Sequence, residues 1–448
     1  VSLWTSPRSL PKVDGLLDHA ALADLHPVVR REAVRQVLDV WRASLKEGRA
    51  CDGATLVAAV RQRAEELVAP GLREVLNATG VVLHTNLGRA PWSERARAAV
   101  AAVTRAGCNL EVDLETGTRG GRGAGALGWL TRLTGAEAGL VVNNAAAGVL
   151  LALTTLAGGR RVLVSRGELV EIGGGFRVPD VIAACGALLT EVGTTNRTHL
   201  EDYAKACAPD VAAVLVVHPS NFRQVGFVTS PRLAELVAWA HAQGRPVVYD
   251  QGSGVWRGTP EEPGVCDAIE AGCDVVVASG DKAVGGPQAG LIVGRAEVIR
   301  ALAAHPLHRA LRVDKAILAA LEATLRDAWL GEPTPAARQA DADSVTLAAR
   351  AQSVAGALCA AGLHAEVVAC AGTPGGGTAP DVELPGFAVV VRGCKPASLA
   401  AALRGARPAI VGRVVDGSLG FDLRTVHPED DSRLVDVLVR LAGEGATG

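Results

Sequence analysis

Asp274-Val275-Val276-Val277-Ala278-Ser279-Gly280-Asp281-Lys282-Ala283-Val284-Gly285-Gly286-Pro287-Gln288-Ala289-Gly290 is the stretch on which the reading of this chain turns. A β-favouring run enters a polar turn that carries a single lysine, and a second apolar run, Leu291-Ile292-Val293, follows. A lysine held between two buried strands loses ammonium stability. The lowered pKa frees its amine as a nucleophile, able to condense with an aldehyde cofactor. Taken alone, the turn suits an ordinary solvated lysine equally well.

Working outward, the same grammar recurs. Residues 139–142, 161–164, 188–192, 211–217, 246–249, 274–278 and 290–293 read as strands, with helical patterns at 146–156, 231–243 and 297–302 between some of them. Continuous apolar strands are buried on both faces, which predicts an α/β domain with a mostly parallel sheet and its ligand at the carboxyl ends of the strands. Just past those ends stand Asn143, Asn144 and Ala145, opening a helix; Glu168 and Glu171; His218 and Ser220; Asp250; and Ser279, Asp281 and Lys282. The Asn143 turn suits a phosphate through its free N–H groups, and a plain N-cap by Asn144 accounts for it equally well.

Pyridoxal phosphate explains these positions together. It needs a lysine for its aldehyde (Lys282), a carboxylate to keep its ring nitrogen protonated (Asp250), and a cup for its phosphate (Asn143, Asn144, Ala145). The order cup, Asp, Lys is that of the aspartate-aminotransferase-like fold, fold type I. Asp281 is placed to orient the lysine or a nearby arginine, or simply to shape the turn.

The remaining sequence sets bounds. The 448 residues predict two or three domains, with 49% hydrophobic and 21% charged residues giving ample core. No apolar run is long enough to cross a bilayer and the first ten residues lack a signal pattern, so no membrane association and a cytoplasmic location are expected. Nine scattered cysteines without a C-x-x-C pair indicate neither a zinc site nor a disulfide framework, and no metal is expected. A net charge of −2 leaves nucleic-acid binding to a local patch. Residues 1–70 read as a helical domain. Val28, Ala33, Val34, Val37, Leu38, Trp41 and Leu45 share one face, and Arg30, Arg31, Arg35, Arg42, Lys46 and Arg49 form a candidate phosphate-contacting set. Residues 71–330 form the large α/β domain and 331–448 a small α+β domain, with strands expected at 365–369, 387–391, 410–415 and 419–422.

Several stretches carry a family resemblance. They include Leu10-Pro11-Lys12-Val13-Asp14, Leu83-His84-Thr85-Asn86-Leu87-Gly88-Arg89-Ala90, Asn109-Leu110-Glu111-Val112-Asp113-Leu114-Glu115-Thr116-Gly117, Ser279-Gly280-Asp281-Lys282 and His305-Pro306-Leu307-His308-Arg309-Ala310-Leu311-Arg312. On these the chain resembles the bacterial L-seryl-tRNA(Sec) selenium transferases, the selenocysteine synthases, over nearly its whole length. The resemblance implies a pyridoxal-phosphate enzyme that converts seryl-tRNA(Sec) to selenocysteinyl-tRNA(Sec) with selenophosphate as donor. It further implies a homo-oligomer built as a ring of dimers, and donor binding by Arg89, Arg309 and Arg312. The last two would share a helix face if their segment is helical.

The chain also departs from the family pattern. Where the family tends to read Ser-Arg-Tyr-Ser-His, this sequence has Gly121-Arg122-Gly123-Ala124-Gly125, and the third Asn of the cup is Ala145. Two other readings therefore stand beside the first: a pyridoxal-dependent lyase or ammonia-lyase of a small amino acid or amino sugar phosphate, and a non-catalytic tRNA-binding homologue. Arg424, after the last strand, could bind a free substrate carboxylate but reads as structural, because in an aminoacyl-tRNA that carboxylate is esterified.

Overall fold

A computed structural model describes residues 3–48, 51–172, 175–219, 221–222, 224–378 and 382–443; Arg49 and Ser220 lie outside them. The chain divides into two compact units, Val1–Glu74 and Val75–Gly448.

In the first unit, helix α1 (Pro27–Lys46) opens on a proline, whose missing N–H costs nothing in a first turn. It buries Ala33, Val34, Val37 and Leu38 against Leu56, Val60 and Ala64 of α2 (Gly53–Val68). Val28, expected on that face, is exposed; Val29 packs there instead, in phase with Ala33 and Val37 at steps of four. Arg30 turns inward to the Leu22 carbonyl (3.4 Å), whereas Arg31 and Arg35 face solvent.

The second unit is organised by a seven-stranded sheet: β1 (Ala138–Val142), β2 (Arg161–Ser165), β3 (Leu188–Val192), β4 (Val211–Val217), β5 (Val247–Asp250), β6 (Val275–Ser279) and β7 (Gly290–Gly294), in the order β1-β7-β6-β5-β4-β2-β3. All neighbours are parallel except β7, which is antiparallel to β6 and β1. Both faces are covered. Val276 and Ala278 belong to one apolar cluster, with Leu321 and Leu325, while Val275 and Val277 belong to another, with Leu151 and Leu153. That alternation is the period of two of a strand. Gly148 lets helix α4 lie directly on β6, since a β-carbon there would stand 2.7 Å from Val277 Cγ1. Here α3 is Ala124–Thr134 and α4 is Ala145–Ala157.

A second, antiparallel sheet comprises β8 (Ala365–Gly372), β9 (Leu384–Val391), β10 (Arg413–Val415) and β11 (Ser418–Asp422), in the order β8-β9-β11-β10. Residues 331–448 fall in the same compact unit as the large sheet. Strand Val75–Asn77 pairs in parallel with Ala409–Val411, and Asp422 N–H donates to Ala78 O (2.9 Å). The single strand expected over 410–415 is thereby split: Ala409–Val411 pairs with Val75–Asn77, Arg413–Val415 pairs with β11, and Gly412 lies between.

Arg424 is structural. It is almost fully buried, and its terminal nitrogens donate to the carbonyls of Gln339 (2.9 Å), Ala340 (2.9 Å), Ala342 (3.3 Å) and Pro385 (2.6 Å). Arg424→Ala strands those buried acceptors. It is expected to lower the unfolding free energy by about 3 kcal/mol in urea titrations.

Candidate active site

The residues at the carboxyl ends of the strands converge as the sheet topology requires. Lys282 follows β6 in a turn closed by backbone bonds from Gly285 N–H to Lys282 O (2.9 Å) and from Gly286 N–H to Gly280 O (2.8 Å). Gly280 N–H donates in turn to Ala289 O (2.8 Å), which fastens the turn between β6 and β7. The lysine is only 5% exposed. Burial lowers its pKa first and the Arg89 guanidinium lowers it further, while Asp250 and Asp281 pull the other way.

Asp250 ends β5, one strand from the lysine's. Its carboxyl is enclosed by protein, and burial pushes its pKa up to about 6 against the opposing pull of Lys282 and of the Gly252 N–H. Its Oδ1 is buried without a hydrogen-bond partner. An orphaned carboxylate oxygen at the end of the central strands calls for a donor that the protein itself does not supply. A protonated ring nitrogen is such a donor.

Asp281 points instead at Arg89, whose Nη1 lies 3.1 Å from Oδ2 and 3.3 Å from Oδ1. Arg89 sits in the left-handed region (φ 59°), a costly conformation for a residue with a β-carbon, and its N–H is held by His84 O (3.1 Å). The 84–90 turn thus holds a guanidinium against the neighbour of the lysine. Ser279 is buried at the end of β6.

At the Asn143 turn the structure realises the N-cap. Asn144 Oδ1 accepts from Ala147 N–H (2.8 Å), and Asn143 N–H donates to Leu311 O (3.1 Å). The N–H groups of Ala145 and Ala146 remain at the positive end of α4, a 13-residue helix, so the side-chain cap leaves these two donors unused. Arg312 is brought to this turn by its backbone, which bridges Val142. Helix Pro306–Ala310 ends before Arg312, so Arg309 and Arg312 do not share a helix face; pairing with β1 draws the chain out of the helix. Arg309 is exposed, without an ion-pair partner among the described residues.

Other residues brace or neighbour these groups. Glu111 accepts from Arg119 Nη2 (2.8 Å) and Arg122 Nη1 (3.2 Å) and lies 3.9 Å from Arg312, and Arg122 also donates to Val313 O (2.6 Å). This braces the segment that carries Arg312. Arg122, His308 and Arg312 line one cavity with Leu140 and Val141 of β1. His218, just after β4, is buried, and burial with the charge of Lys282 lowers its pKa. Glu168 accepts from Val217 N–H (2.9 Å), and burial pushes its carboxyl up to about 8. His218 and Glu168 are among the polar residues expected past strand ends from the sequence; the Arg122 brace had no such signal. The glycines at 123 and 125 have local causes. Gly123 opens α3 at φ 70°, and a β-carbon at Gly125 would run into the Glu322 carboxylate.

Comparison with known proteins places this geometry in a family. A family model described as L-seryl-tRNA selenium transferase matches residues 75–427. A relative from Moorella thermoacetica named L-seryl-tRNA(Sec) selenium transferase is 47% identical, with 98% of this chain and 97% of that protein covered. One of the same name from Solidesulfovibrio magneticus is 44% identical, with 98% and 99% covered. Among solved structures, D-glucosaminate-6-phosphate ammonia-lyase matches with a TM-score of 0.59 at 24% identity, over 85% of this chain and 98% of that one. The fold is the α/β fold type I expected from the sequence.

The Asp250 carboxyl has a stability signature in the cofactor-free protein. Its folded-state pKa of about 6 lies above the unfolded value of about 3.9, so its contribution is fully present below about pH 4 and lost as pH rises through 6. Asp250→Asn should abolish this slope. In urea midpoints measured from pH 4 to 7, the variant is expected to gain on the wild type as pH rises; parallel curves would contradict the assignment.

Proposed function

Because the chain belongs to the L-seryl-tRNA selenium transferase family, we propose that it converts seryl-tRNA(Sec) to selenocysteinyl-tRNA(Sec) with pyridoxal phosphate as cofactor and selenophosphate as donor. The observation that carries the reading is the buried Lys282 amine, with lowered pKa, beside the unpartnered Oδ1 of Asp250. These two groups fit the aldehyde and ring nitrogen of pyridoxal phosphate, and the N–H groups of Ala145 and Ala146 fit its phosphate.

When bound, the cofactor supplies an electron sink for the charge left on the seryl α-carbon. The protein's part is to place and move protons. Asp250, kept from water, holds the ring-nitrogen proton. Lys282, with its ammonium disfavoured, takes the α-proton at Nζ. Asp281 and Arg89 fix the turn that carries the lysine and bring a guanidinium towards the donor's phosphate, with Arg309 and Arg312 as further forked donors. Overall the serine β-hydroxyl is replaced by a selenol, and the Se–P bond of the donor is cleaved to inorganic phosphate.

The same reading extends to partners. Residues 1–70 are the candidate tRNA-binding domain, with Arg31 and Arg35 turned to solvent. Homo-oligomeric assembly is supported by exposed apolar side chains at Leu114, Val225 and Phe227. No helix among the described residues is long and apolar enough to cross a membrane. No metal-binding group is found among the described residues. The ammonia-lyase likeness is one of fold, and a non-catalytic scaffold leaves the arrangement around Lys282 without a use.

Purified protein loaded with pyridoxal phosphate should show a visible absorption band that Lys282→Ala abolishes. Given seryl-tRNA(Sec) and selenophosphate, it should yield selenocysteine on the esterified tRNA; recovery of unchanged serine from loaded protein would refute the reaction. Arg312→Ala should raise the KM for selenophosphate roughly 10-fold to 100-fold, the loss of a charge-assisted hydrogen bond, and leave the KM for seryl-tRNA(Sec) unchanged.

A further inference from the structure

Lys282 has a neighbour from far along the chain. The glycine-rich segment Gly372-Thr373-Pro374-Gly375-Gly376-Gly377-Thr378 leaves β8 and lies along the 80–83 backbone. Thr373 N–H donates to Gly80 O (2.9 Å), Val82 N–H to Thr373 O (3.0 Å) and Leu83 N–H to Pro374 O (2.9 Å). Thr378 Oγ1 donates back to Gly375 O (3.0 Å), which closes the loop on itself. The glycines permit this path for two separate reasons. A β-carbon on Gly375 would stand 2.7 Å from Leu83 O, so this glycine lets the loop lie on the backbone below it. A β-carbon on Gly377 would stand 2.6 Å from Lys282 Nζ and 3.0 Å from its Cε, and the residue has φ +83°. The free amine therefore rests against a stretch of chain that has no side chain to offer.

We propose that Gly377 forms the shelf on which the free Lys282 amine rests, and that it is a positioning residue for proton transfer at the seryl α-carbon. This rests on Lys282 being the base of the reaction proposed above. In that step the α C–H bond breaks, an N–H bond forms at Nζ and the electron pair passes into the cofactor. An amine released into bulk solvent would lose its register with the α-carbon. One released onto the Gly377 backbone stays buried and in reach, because the shelf is tied by three main-chain bonds to the same 80–90 segment that carries Arg89. A methyl group at 377 would force the flexible end of Lys282 to shift from this position.

The test begins in the cofactor-free protein with thermal unfolding of Gly377→Ala, Lys282→Ala and the double variant. Gly393→Ala is the control for backbone strain, since Gly393 has φ +81° and open space where its β-carbon would stand. Gly377→Ala should lower the unfolding temperature more than Gly393→Ala, and the excess should vanish when Lys282 is already alanine. An excess that persists without Lys282 would overturn the contact. In loaded enzyme, Gly377→Ala should keep the visible band but slow exchange of the seryl α-proton into deuterium oxide about 10-fold or more, with Gly393→Ala at the wild-type rate. Wild-type exchange in Gly377→Ala would overturn the positioning role. If the cofactor-free coupling appears while the loaded wild-type enzyme exchanges nothing, the proposed reaction fails, and the positioning role with it, but the contact stands.

Discussion

Burying an amine at the end of a central strand is the constraint on which the rest of this structure depends. At 5% exposure Lys282 has lost most of its hydration, and desolvation works against its charge. Two carboxylates would restore that charge if left alone. Asp281 is instead engaged by Arg89, and Asp250 is itself so deeply buried that its own ionisation is disfavoured. The outcome is an amine whose proton is loosely held and a carboxyl with one oxygen, Oδ1, that lacks a partner. Each group is held in a state that a bound aldehyde cofactor would relieve.

Holding that balance requires pieces from distant parts of the chain. The 84–90 turn supplies Arg89, β5 and β6 supply Asp250 and Lys282, and the loop after β8 supplies the Gly377 backbone. Two main-chain links tie the ends of the second compact unit together: Val75–Asn77 beside Ala409–Val411, and Thr373 beside Gly80 and Val82. Without them the glycine loop and the arginine turn would have no common frame. Arg312 follows the same logic, since its segment is fixed by the bridge to Val142 and by Arg122 on Val313 O.

Much of this was legible from residues alone. The seven apolar runs became the seven strands of one sheet with small changes at their ends, because continuous Val, Leu and Ala at strand length leaves few alternatives to burial on both faces. Asp250 and Lys282 were found because ligand chemistry gathers at strand ends. The helix expected to join Arg309 and Arg312 did not form over both, since Arg312 is taken up by β1. The 410–415 run likewise divided because its halves answer to different partners. Local pattern cannot show which distant strand will compete for a segment.

What the sequence by itself determined was the set of elements and the candidate groups at their ends: an α/β sheet, a lysine in a turn between two strands, an aspartate one strand away and a helix N-terminus. These follow from side-chain period and from the few residue types that can do such chemistry. Only the tertiary structure decided what each group touches. Asp281 faces Arg89, Asn144 caps its helix, the terminal nitrogens of Arg424 are held by carbonyls, and Gly377 meets the lysine amine. These contacts join residues up to hundreds of positions apart, and their energies depend on distances of a few ångströms that are set by packing, not by order along the chain.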